Sequence, residues 1–267
     1  MKPSSVSLII STYNSERYLE LCLKSVLSLR QMPDEVVVAD DGSGAATRAV
    51  VDAFRAQCPV PVVHVWQEDL GFRKCRILNK AILQCSSDYV VQIDGDIVME
   101  PHFVIDHLSV ARPNAFVCGS RVKLAEDFTM KLFSGERRGF GFFSLPPGYA
   151  LNSLRCAALM HFLAPRYGQK KLDRLRGCNM AFWKSDLLKV NGYDEDLTQW
   201  GHEDGELAFR LYFAGVKKLS LKFGGVAYHL WHKESVRDGE ARHLEALERV
   251  KRERLVWCEN GIVRAGE

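Results

Sequence analysis

Residues 90–99 read VVQIDGDIVM, and this segment is the most informative part of the sequence. Its first half is an apolar run typical of a buried strand, and the run is followed by two carboxylates one residue apart, Asp94 and Asp96. Open α/β sheets bind ligands beyond the carboxyl ends of their strands, where such oxygen atoms suit Mg²⁺ or Mn²⁺. The alternative interpretation is an acidic turn, because Asp and Gly are common turn residues.

The sequence before this segment alternates between short apolar runs and stretches with helical periodicity. Apolar runs predict strands, and the periodic stretches predict helices. The predicted strands cover 6–11, 35–40, 62–66 and 89–93, and the predicted helices cover 15–29, 45–57 and 71–83. This order predicts an α/β fold with a mostly parallel sheet flanked by helices, so the loops after successive strands gather at one edge.

The overall composition is typical of a globular protein from a reducing compartment. The 267 residues suffice for one large domain or two small ones, and a net charge of +3 does not indicate nucleic-acid binding. The eight cysteines show no Cys-x-x-Cys spacing, which predicts free thiols. There is no signal-peptide pattern and no apolar stretch approaching the ~20 residues of a membrane span. We expect a cytoplasmic protein, with any membrane contact peripheral and at the inner face of the cell membrane.

Residues 121–176 differ in composition from the rest of the chain. They include eleven basic residues against four acidic ones, a balance of +7, together with several aromatic residues. The segment is either a solvated excursion with a helix over about 150–162, or a mobile lid or binding insert that faces an anionic or amphiphilic partner. Further on, the charged stretch at about 240–257 has the apolar spacing of a helix.

Three loops at the predicted sheet edge have side chains suited to nucleotide contacts. Residues 42–47 partly match a dinucleotide-binding glycine pattern, but the third glycine is missing and the preceding Asp40 and Asp41 would repel a pyrophosphate. A carboxylate at this strand end suits a hydrogen bond from a base or ribose, and Tyr13 can stack on a base. Arg73 belongs either to a basic exposed turn or to a phosphate contact.

Two further motifs lie in the second half of the chain. The acidic cluster after Trp200 includes Glu203 and Asp204, and it is either a helix cap or the source of a carboxylate that accepts a proton from a substrate hydroxyl. His229 and His232 are either ordinary packed or surface histidines or a nitrogen ligand for a divalent cation. Because both motifs follow the Asp-x-Asp pair in the chain, the functional interpretation of each is favoured.

The combined motifs resemble those of family 2 glycosyltransferases with the GT-A fold, over about 6–235. The matching segments are STYN at 11–14, ADDGS at 39–43, GFR at 71–73, DGD at 94–96, RGCNMA at 176–181, WGHED at 200–204 and HLWH at 229–232. The second half is similar to the galactosyltransferase-type C-terminal region also seen in bacterial chondroitin-type polymerases. The resemblance implies an inverting transfer of a sugar, a hexose or N-acetylhexosamine, from a nucleotide sugar that is usually UDP-linked to an acceptor hydroxyl.

The resemblance also implies roles for the matching residues. Those implied in binding the nucleotide sugar are Thr12, Tyr13, Asp41, Arg73, Asp94, Gly177, Asn179 and Trp200, with Asp40 as the alternate to Asp41. Asp96 would bind Mn²⁺ or Mg²⁺, and His232 or His229 would complete the metal site. Asp204 would be the general base, and Glu203 would hold the donor sugar or the acceptor.

The implied organisation is one GT-A domain with two functional halves. Residues 1–120 would be the nucleotide-sugar-binding half, and residues 121–267 the acceptor-binding and catalytic half. A divalent cation neutralises the leaving diphosphate, and a carboxylate base activates the acceptor alcohol. One base on the far face of the sugar gives inversion in a single displacement, and no sequence feature demands the second carboxylate of a double displacement.

Two competing functions are consistent with parts of the pattern. A nucleotidyltransferase would carry a glycine-rich loop with Lys or Arg directly after the first strand, whereas residues 12–15 read TYNS. A non-catalytic nucleotide-sugar-binding scaffold need not keep Asp96, Asp204 and His232 together. We therefore expect a glycosyltransferase that acts on a saccharide or lipid-linked saccharide in cell-envelope polysaccharide or glycolipid synthesis, with no nucleic-acid partner.

Overall fold

The structure is a computed structural model that describes residues 2–172, 175, 177–199, 201–233 and 240–263. The strands in these ranges are β1 Val6–Thr12, β2 Glu35–Asp40, β3 Val62–Trp66, β4 Tyr89–Asp94, β5 Ile97–Met99, β6 Ala115–Gly119, β7 Val122–Lys123, β8 Asn179–Trp183, β9 Lys217–Leu221 and β10 Ala227–His229. The α-helices are α1 Glu16–Val26, α2 Ala45–Arg55, α3 Lys74–Gln84, α4 Phe103–Val110, α5 Glu126–Ser134, α6 Pro147–Ala150, α7 Ala157–Leu163, α8 Lys184–Lys189, α9 Glu203–Phe213 and α10 Glu240–Glu253. Short 3₁₀ helices cover Phe142–Ser144 and Leu151–Ser153.

The main sheet has seven strands in the order β3-β2-β1-β4-β8-β6-β9. Strand β8 runs antiparallel to both of its neighbours, and the other adjacent pairs are parallel, so the predicted mostly parallel sheet is confirmed. Ser11 pairs with Ala39 on β2 and with Asp94 on β4. The carboxyl ends of these three strands therefore lie side by side at one edge.

Helices cover both faces of the main sheet, so the side chains that alternate along each central strand are buried on both faces. Leu8 and Ile10 point to a core layer that includes Leu19 of α1 and Val51 of α2. Ile9, between them, points to the opposite layer, which is built on α3. Residues of both layers are fully buried, and each such aliphatic side chain contributes about 1.5–3 kcal/mol by leaving water.

A second, three-stranded sheet brings a distant part of the chain to the Asp-Gly-Asp turn. Its order is β5-β10-β7, with β10 antiparallel to β5 and parallel to β7. His229 pairs with Ile97, the residue that directly follows Asp96. The backbone N–H of Leu230 also donates a hydrogen bond to the carbonyl oxygen of Asp96 at 3.0 Å. The end of β10 is therefore held against the turn that follows β4.

The basic segment 121–176 is packed in its first part and exposed near its middle. Phe128 and Leu145 belong to a buried apolar cluster that also contains Tyr228 of β10. Phe140 stacks on Tyr228 with ring centroids 3.9 Å apart. By contrast, the side chain of Phe143 is 99% exposed. The segment is thus an integral part of the domain that still presents apolar surface to solvent.

The single helix predicted over about 150–162 is wrong, because the chain is extended at Leu154 and Cys156 between two separate helices. Arg155, between them, extends its guanidinium to the buried carboxylate of Asp106, with Nη2 and Oδ1 2.7 Å apart. The backbone N–H of Cys156 donates to the carbonyl oxygen of Phe223 at 2.9 Å. These tertiary bonds replace the hydrogen bonds of a continuous helix.

Two other helix boundaries differ from the prediction for local backbone reasons. Helix α3 begins at Lys74 instead of residue 71, because Gly71 has a φ of 83°. Helix α10 ends at Glu253, and the next residue, Arg254, has a φ of 53°, which terminates the helix. Within the described ranges, no helix has the length and apolar character needed to cross a membrane.

Candidate functional site

The edge formed by β1, β2 and β4 gathers the residues that the sequence places after these strands. Asp41 is 5% exposed, and its carboxylate accepts hydrogen bonds from Gln67 Nε2 at 2.6 Å and from the backbone N–H of Arg73 at 2.7 Å. Burial raises the pKa of Asp41 above its usual range, although both hydrogen bonds act in the opposite direction. The structure therefore places Asp41 and Arg73 in direct contact.

Asp40 has a different environment from its neighbour. It is fully buried, with Oδ2 2.9 Å from His64 Nε2, and its Oδ1 accepts a hydrogen bond from the Ser43 N–H at 2.8 Å. Burial acts to raise the pKa of Asp40, but the hydrogen bonds from His64 and Ser43 outweigh burial and lower it. The carboxylate of Asp40 is thus engaged inside the protein.

Thr12 and Tyr13 lie at the end of β1 beside these carboxylates. Thr12 is buried, and its hydroxyl has no hydrogen-bond partner within the described residues. Tyr13 is 46% exposed, and its hydroxyl donates to Asp69 Oδ2 at 2.8 Å. One unsatisfied hydroxyl and one accessible aromatic ring are suited to contact a polar ligand with a flat group.

Asp94 is joined to a cation that the sequence analysis did not assign to the site. Its Oδ1 accepts hydrogen bonds from Ser11 Oγ at 2.8 Å and from Lys74 Nζ at 2.7 Å. Burial acts to raise the pKa of Asp94, but the charge of Lys74 and the hydrogen bonds from Lys74 and Ser11 together outweigh burial and lower the pKa. The sequence signal for Lys74 was its place among three cations at 73–76, of which only Arg73 was selected.

Asp96, His229 and His232 form a cluster with the composition of a metal site. Asp96 Oδ2 lies 3.0 Å from His232 Nε2 and 3.4 Å from His229 Nε2, and the three ligand atoms are within 4.8 Å of one another. Both histidines approach, so the geometry does not require a choice between them. His232 Nδ1 lies 2.9 Å from the carbonyl oxygen of Lys233. A hydrogen bond donated there leaves the Nε2 lone pair facing Asp96.

The second acidic cluster lies where helix α9 begins. The backbone N–H of Gly177 donates a hydrogen bond to the Asp204 carboxylate. A Cβ atom at Gly177 would lie 2.1 Å from Asp204 Oδ2, so only glycine permits this approach. Burial, reinforced by the negative charge of Glu203, raises the pKa of Asp204 to about 7. Such a carboxylate is poised to accept a proton near neutral pH.

Glu203 is held in place next to this base. It is 4% exposed, and its Oε2 accepts a hydrogen bond from the backbone N–H of Gly201 at 2.9 Å. Both carboxylates lie in the first turn of α9, where the helix dipole favours negative charge. Trp200, which is predicted to bind the nucleotide sugar, lies outside the described residues.

Asn179 lies beneath the site, with its side chain used by protein partners. It is 0% exposed, its Oδ1 lies 2.9 Å from His107 Nε2, and its Nδ2 donates to the carbonyl oxygens of Ser120 and Gly225 at 2.8 Å and 2.9 Å. Burial lowers the pKa of His107 to about 4, which keeps this imidazole neutral. Asn179 therefore ties together the chain segments beneath the sheet edge.

Two family models match the chain over ranges that together contain every candidate site residue above. Residues 7–164 match the model for glycosyl transferase family 2. Residues 158–233 match the model described as the N-terminal domain of galactosyltransferase.

Several characterised proteins are similar in sequence. A chondroitin synthase of Pasteurella multocida (strain Pm70) is 29% identical over 273 residues, which cover 94% of this chain and 27% of the relative. A validoxylamine A glucosyltransferase of Streptomyces hygroscopicus subsp. limoneus is 28% identical over 227 residues, which cover 79% of this chain and 48% of the relative. The chain thus spans only about a quarter to a half of the length of these relatives.

Solved structures share the architecture. The mannosyltransferase PcManGT from Pyrobaculum calidifontis, in complex with GDP-Man and Mn²⁺, has a TM-score of 0.65 and 21% identity over 94% of this chain and 65% of its own. Residues 1–349 of TarS from S. aureus, in complex with UDP-GlcNAc, have a TM-score of 0.62 and 17% identity over 86% of this chain and 60% of theirs. This similarity confirms the predicted GT-A fold.

Proposed function

This chain belongs to glycosyl transferase family 2 and is a glycosyltransferase, and we propose that it moves a sugar from a UDP-linked donor to an acceptor hydroxyl by a metal-dependent, inverting displacement. The observation that carries the proposal is the approach of two imidazole nitrogens to one carboxylate oxygen of Asp96. The carboxylate of Asp204 lies at the same edge of the sheet, because Gly177, which holds it, is two residues before β8, and β8 runs antiparallel to β4.

The residues around Asp96 fit a divalent cation. Its second oxygen, Oδ1, is buried without a hydrogen-bond partner among the described residues, a state that an isolated carboxylate does not tolerate well. One carboxylate and two imidazoles suit Mn²⁺ better than Mg²⁺, which prefers oxygen ligands. A bound ion supplies positive charge that stabilises the departing diphosphate. Asp96, His229 and His232 would hold this ion.

Asp204 is the proposed general base. Its raised pKa places its protonation equilibrium near neutral pH, where a carboxylate accepts a proton from an alcohol most effectively. The acceptor oxygen then attacks the anomeric carbon of the donor, the bond to the diphosphate breaks, and the hydroxyl proton passes to Asp204. Glu203 would hold the sugar or the acceptor by hydrogen bonds. A single displacement of this kind inverts the configuration at the anomeric carbon.

Residues at the ends of β1 and β2 would bind the nucleotide. Tyr13 offers an exposed ring for stacking, Asp41 a buried carboxylate for a base or ribose donor, and Arg73 a cation for phosphate. Asp40 would act behind them by holding the loop through Ser43. Solved complexes of this fold include one with UDP-GlcNAc and one with GDP-Man, so donors of both kinds belong in the test of the UDP-linked donor proposed here. In this proposal 1–120 is the donor half of the domain.

The acceptor would be a saccharide, free or lipid-linked, bound by the half at 121–267. The similarity to chondroitin synthases supports a saccharide acceptor. Peripheral contact with the inner face of a membrane is supported by the exposed apolar side chains of Phe143, Leu151 and Phe162 within a basic segment. The test is binding of the protein to vesicles of phosphatidylglycerol and of phosphatidylcholine. Binding to phosphatidylglycerol alone, lost in Phe143→Ser, would support this contact. Binding to neither kind of vesicle, or equal binding to both, would refute it.

The decisive experiment measures donor hydrolysis across a panel of UDP- and GDP-sugars, with Mn²⁺ and with EDTA. We expect release of the nucleoside diphosphate from a UDP-sugar, at least about a hundredfold slower in EDTA and in Asp96→Ala. Asp52→Ala, which removes an exposed carboxylate on α2, is the matched control and keeps the wild-type rate. Turnover that is indifferent to metal would refute metal dependence. Cleavage of the phosphoanhydride bond, which releases the nucleoside monophosphate and a sugar 1-phosphate, would instead indicate nucleotidyl transfer.

A further inference from the structure

A cavity of about 310 Å³ opens at the same edge of the sheet, between the carboxyl ends of β6 and β9. Its walls include Arg121 after β6, Lys222 after β9, and the aromatic rings of Tyr149 and Tyr167 from the basic segment. None of the residues discussed as candidates for the base, the metal ligands or the nucleotide contacts lines it. The cavity is therefore a separate compartment of the site.

The cavity is strongly cationic. Arg121, Lys123, Lys218 and Lys222 all line it, and no carboxylate is found among its lining residues in the described part of the chain. Concave surfaces with charges of one sign concentrate ligands of the opposite sign. Four cations around a volume of this size therefore favour an anionic occupant.

Three of these cations have only neutral hydrogen-bond partners within the described residues. Lys222 Nζ donates to Asn152 Oδ1 at 2.6 Å, and Arg121 Nη1 meets the weak acceptor Cys178 Sγ at 3.9 Å. Lys218, only 7% exposed, donates to two backbone carbonyls, those of Gly168 and Lys171, at 3.1 Å and 2.8 Å. Lys218 is therefore a buried cation without a counter-charge among the described residues, which is costly, and a bound anion relieves that cost.

The cavity adjoins the proposed base on the side away from the nucleotide. Leu175, which lines it, is two residues before Gly177, and Arg121 reaches Cys178. The sheet order puts β1 and β2 on one side of β4 and β8, and puts β6 and β9 on the other. A donor bound at β1 and β2 thus leaves the β6 and β9 side for the molecule whose hydroxyl meets Asp204.

We propose that this cavity binds an anionic group of the acceptor, a carboxylate or a phosphate carried near the attacking hydroxyl. The proposal rests on the proposed function, because it takes the molecule beside Asp204 to be the acceptor. Charge-assisted hydrogen bonds from Lys222 and Arg121 would hold the anion, and the hydroxyls of Tyr149 and Tyr167 would contact the sugar.

The test is equilibrium binding of two matched pairs of probes to the full chain, by calorimetry, with and without UDP and Mn²⁺. The first pair is p-nitrophenyl β-D-glucuronide and p-nitrophenyl β-D-glucoside, and the second is glucose 6-phosphate and glucose. UDP with Mn²⁺ occupies the donor site, so an anion that still binds does so elsewhere. We expect the anionic member of one pair to bind at least about tenfold more tightly than the neutral member, the contribution of one charge-assisted hydrogen bond.

Which pair shows the preference identifies the source of the anion. A preference for the glucuronide indicates a carboxylate, and a preference for glucose 6-phosphate indicates a phosphate. Equal binding of charged and neutral members in both pairs, or binding of neither anion, overturns the proposal. Donor hydrolysis is measured separately on the same preparation. Failure of the proposed function would appear as absent hydrolysis, whereas failure of the present proposal would appear only in the binding measurement.

Variants assign the preference to the cavity. Lys222→Gln is expected to reduce the ratio of anionic to neutral binding about tenfold, and Lys222→Arg, which keeps the charge, restores most of it. The control is Lys217→Gln, which removes an exposed cation at the start of the same strand and leaves the ratio unchanged. A ratio that survives Lys222→Gln places the anion elsewhere and overturns the proposal.

Discussion

The ammonium group of Lys74 lies 2.7 Å from Asp94 Oδ1, and its charge also acts on the carboxylate of Asp204. Lys74 is therefore the cation that offsets a group of three carboxylates, the third being Glu203. Burial raises the pKa of Asp204 first, the charges of Glu203 and Asp94 raise it further, and the charge of Lys74 lowers it. The ionisation of the proposed base thus depends on the balance of these neighbours.

The first prediction concerns the pH dependence of wild-type transfer. Asp204 must be deprotonated to accept a proton, and its pKa is about 7, so kcat/KM should fall as the pH decreases through about 7. A pH–rate profile from pH 5 to 9 measures this midpoint. Above pH 7, where the wild-type base is ionised, Asp204→Asn should reduce transfer by a factor of about 10² to 10⁴. A profile that stays flat down to pH 5, as expected for an exposed carboxyl with a pKa of about 4, would contradict the assignment.

The second prediction concerns Lys74. Lys74→Met removes the charge that lowers the pKa of Asp204, so that pKa rises and less of the base is ionised at neutral pH. The midpoint of the pH–rate profile should move to higher pH, and kcat/KM at pH 7 should fall about tenfold or more. The control is Lys80→Met on the same helix, and its profile should match the wild-type profile. A midpoint that stays in place in Lys74→Met would argue against this electrostatic role.

The third prediction concerns the contact between Gly177 and Asp204. Gly177→Ala places a Cβ atom 2.1 Å from Asp204 Oδ2, so the carboxylate must move. A displacement of about 1 Å at a reacting group reduces kcat by about a hundredfold. Gly139→Ala is the matched control, because a Cβ atom there meets nothing within 4 Å. Steady-state kinetics together with thermal melting separate lost catalysis from lost stability, and wild-type kcat in Gly177→Ala would contradict the tight approach.

The fourth prediction concerns the two histidines near Asp96. Since both Nε2 atoms face the same carboxylate oxygen, His229→Ala and His232→Ala should each weaken Mn²⁺ binding by about tenfold or more. Electron paramagnetic resonance titration of free Mn²⁺ gives the Kd directly, without any assay of turnover. His161→Ala, an exposed histidine on α7, serves as the control. If one of the two variants bound Mn²⁺ with wild-type affinity, that histidine would not be a ligand.

The fifth prediction concerns a buried ion pair that anchors α9. Arg210 contacts both carboxylate oxygens of Glu206, at 2.6 Å and 2.7 Å, and also donates to the carbonyl oxygens of Val190 and Gly192. Arg210→Met leaves Glu206 buried without its partner and should reduce the free energy of unfolding by about 3–5 kcal/mol. Urea denaturation measures this change.

Two further variants test the cause of that loss. Arg249→Met breaks an exposed pair with Glu253 and should leave the urea denaturation curve close to that of the wild type, because solvent screens this pair. Replacing both buried partners, as Arg210→Met with Glu206→Leu, should recover part of the loss because no uncompensated charge remains. A double variant as unstable as the single one would show that the guanidinium acts through the two backbone carbonyls instead.

The elements of the fold that could be predicted from the sequence are those with a strong local pattern of apolar residues. The strands at 35–40 and 62–66 were predicted with their observed bounds, because each is a short, mostly apolar run, the first in a fully buried strand and the second in the half-buried edge strand. The helix predicted over about 150–162 was wrong because Arg155 pairs with Asp106, a contact between residues 49 positions apart. No local pattern reports such a contact, and it overrides helix propensity.

The candidate site shows the same division between local and distant information. The sequence does not distinguish Asp40 from Asp41 as the nucleotide contact. Adjacent side chains at a strand end point in different directions, and in the structure Asp40 contacts His64 whereas Asp41 contacts the backbone of Arg73. Lys74 could not be selected over Arg73 by sequence, because both are cations in one basic turn. Only the register of β1 against β4, which sets Ser11 beside Asp94, defines the pocket that Lys74 enters.

The small sheet β5-β10-β7 has a consequence for the nascent chain. It brings Asp96 and His232 together although about half of the polypeptide separates them. During translation the carboxylate therefore leaves the ribosome long before either imidazole, and a cation that needs all three ligands cannot settle until β10 has paired with β5. An ion held by all three residues, as proposed, would therefore bind only after this pairing, and a chain without the pairing would carry no ion with which to cleave nucleotide sugars.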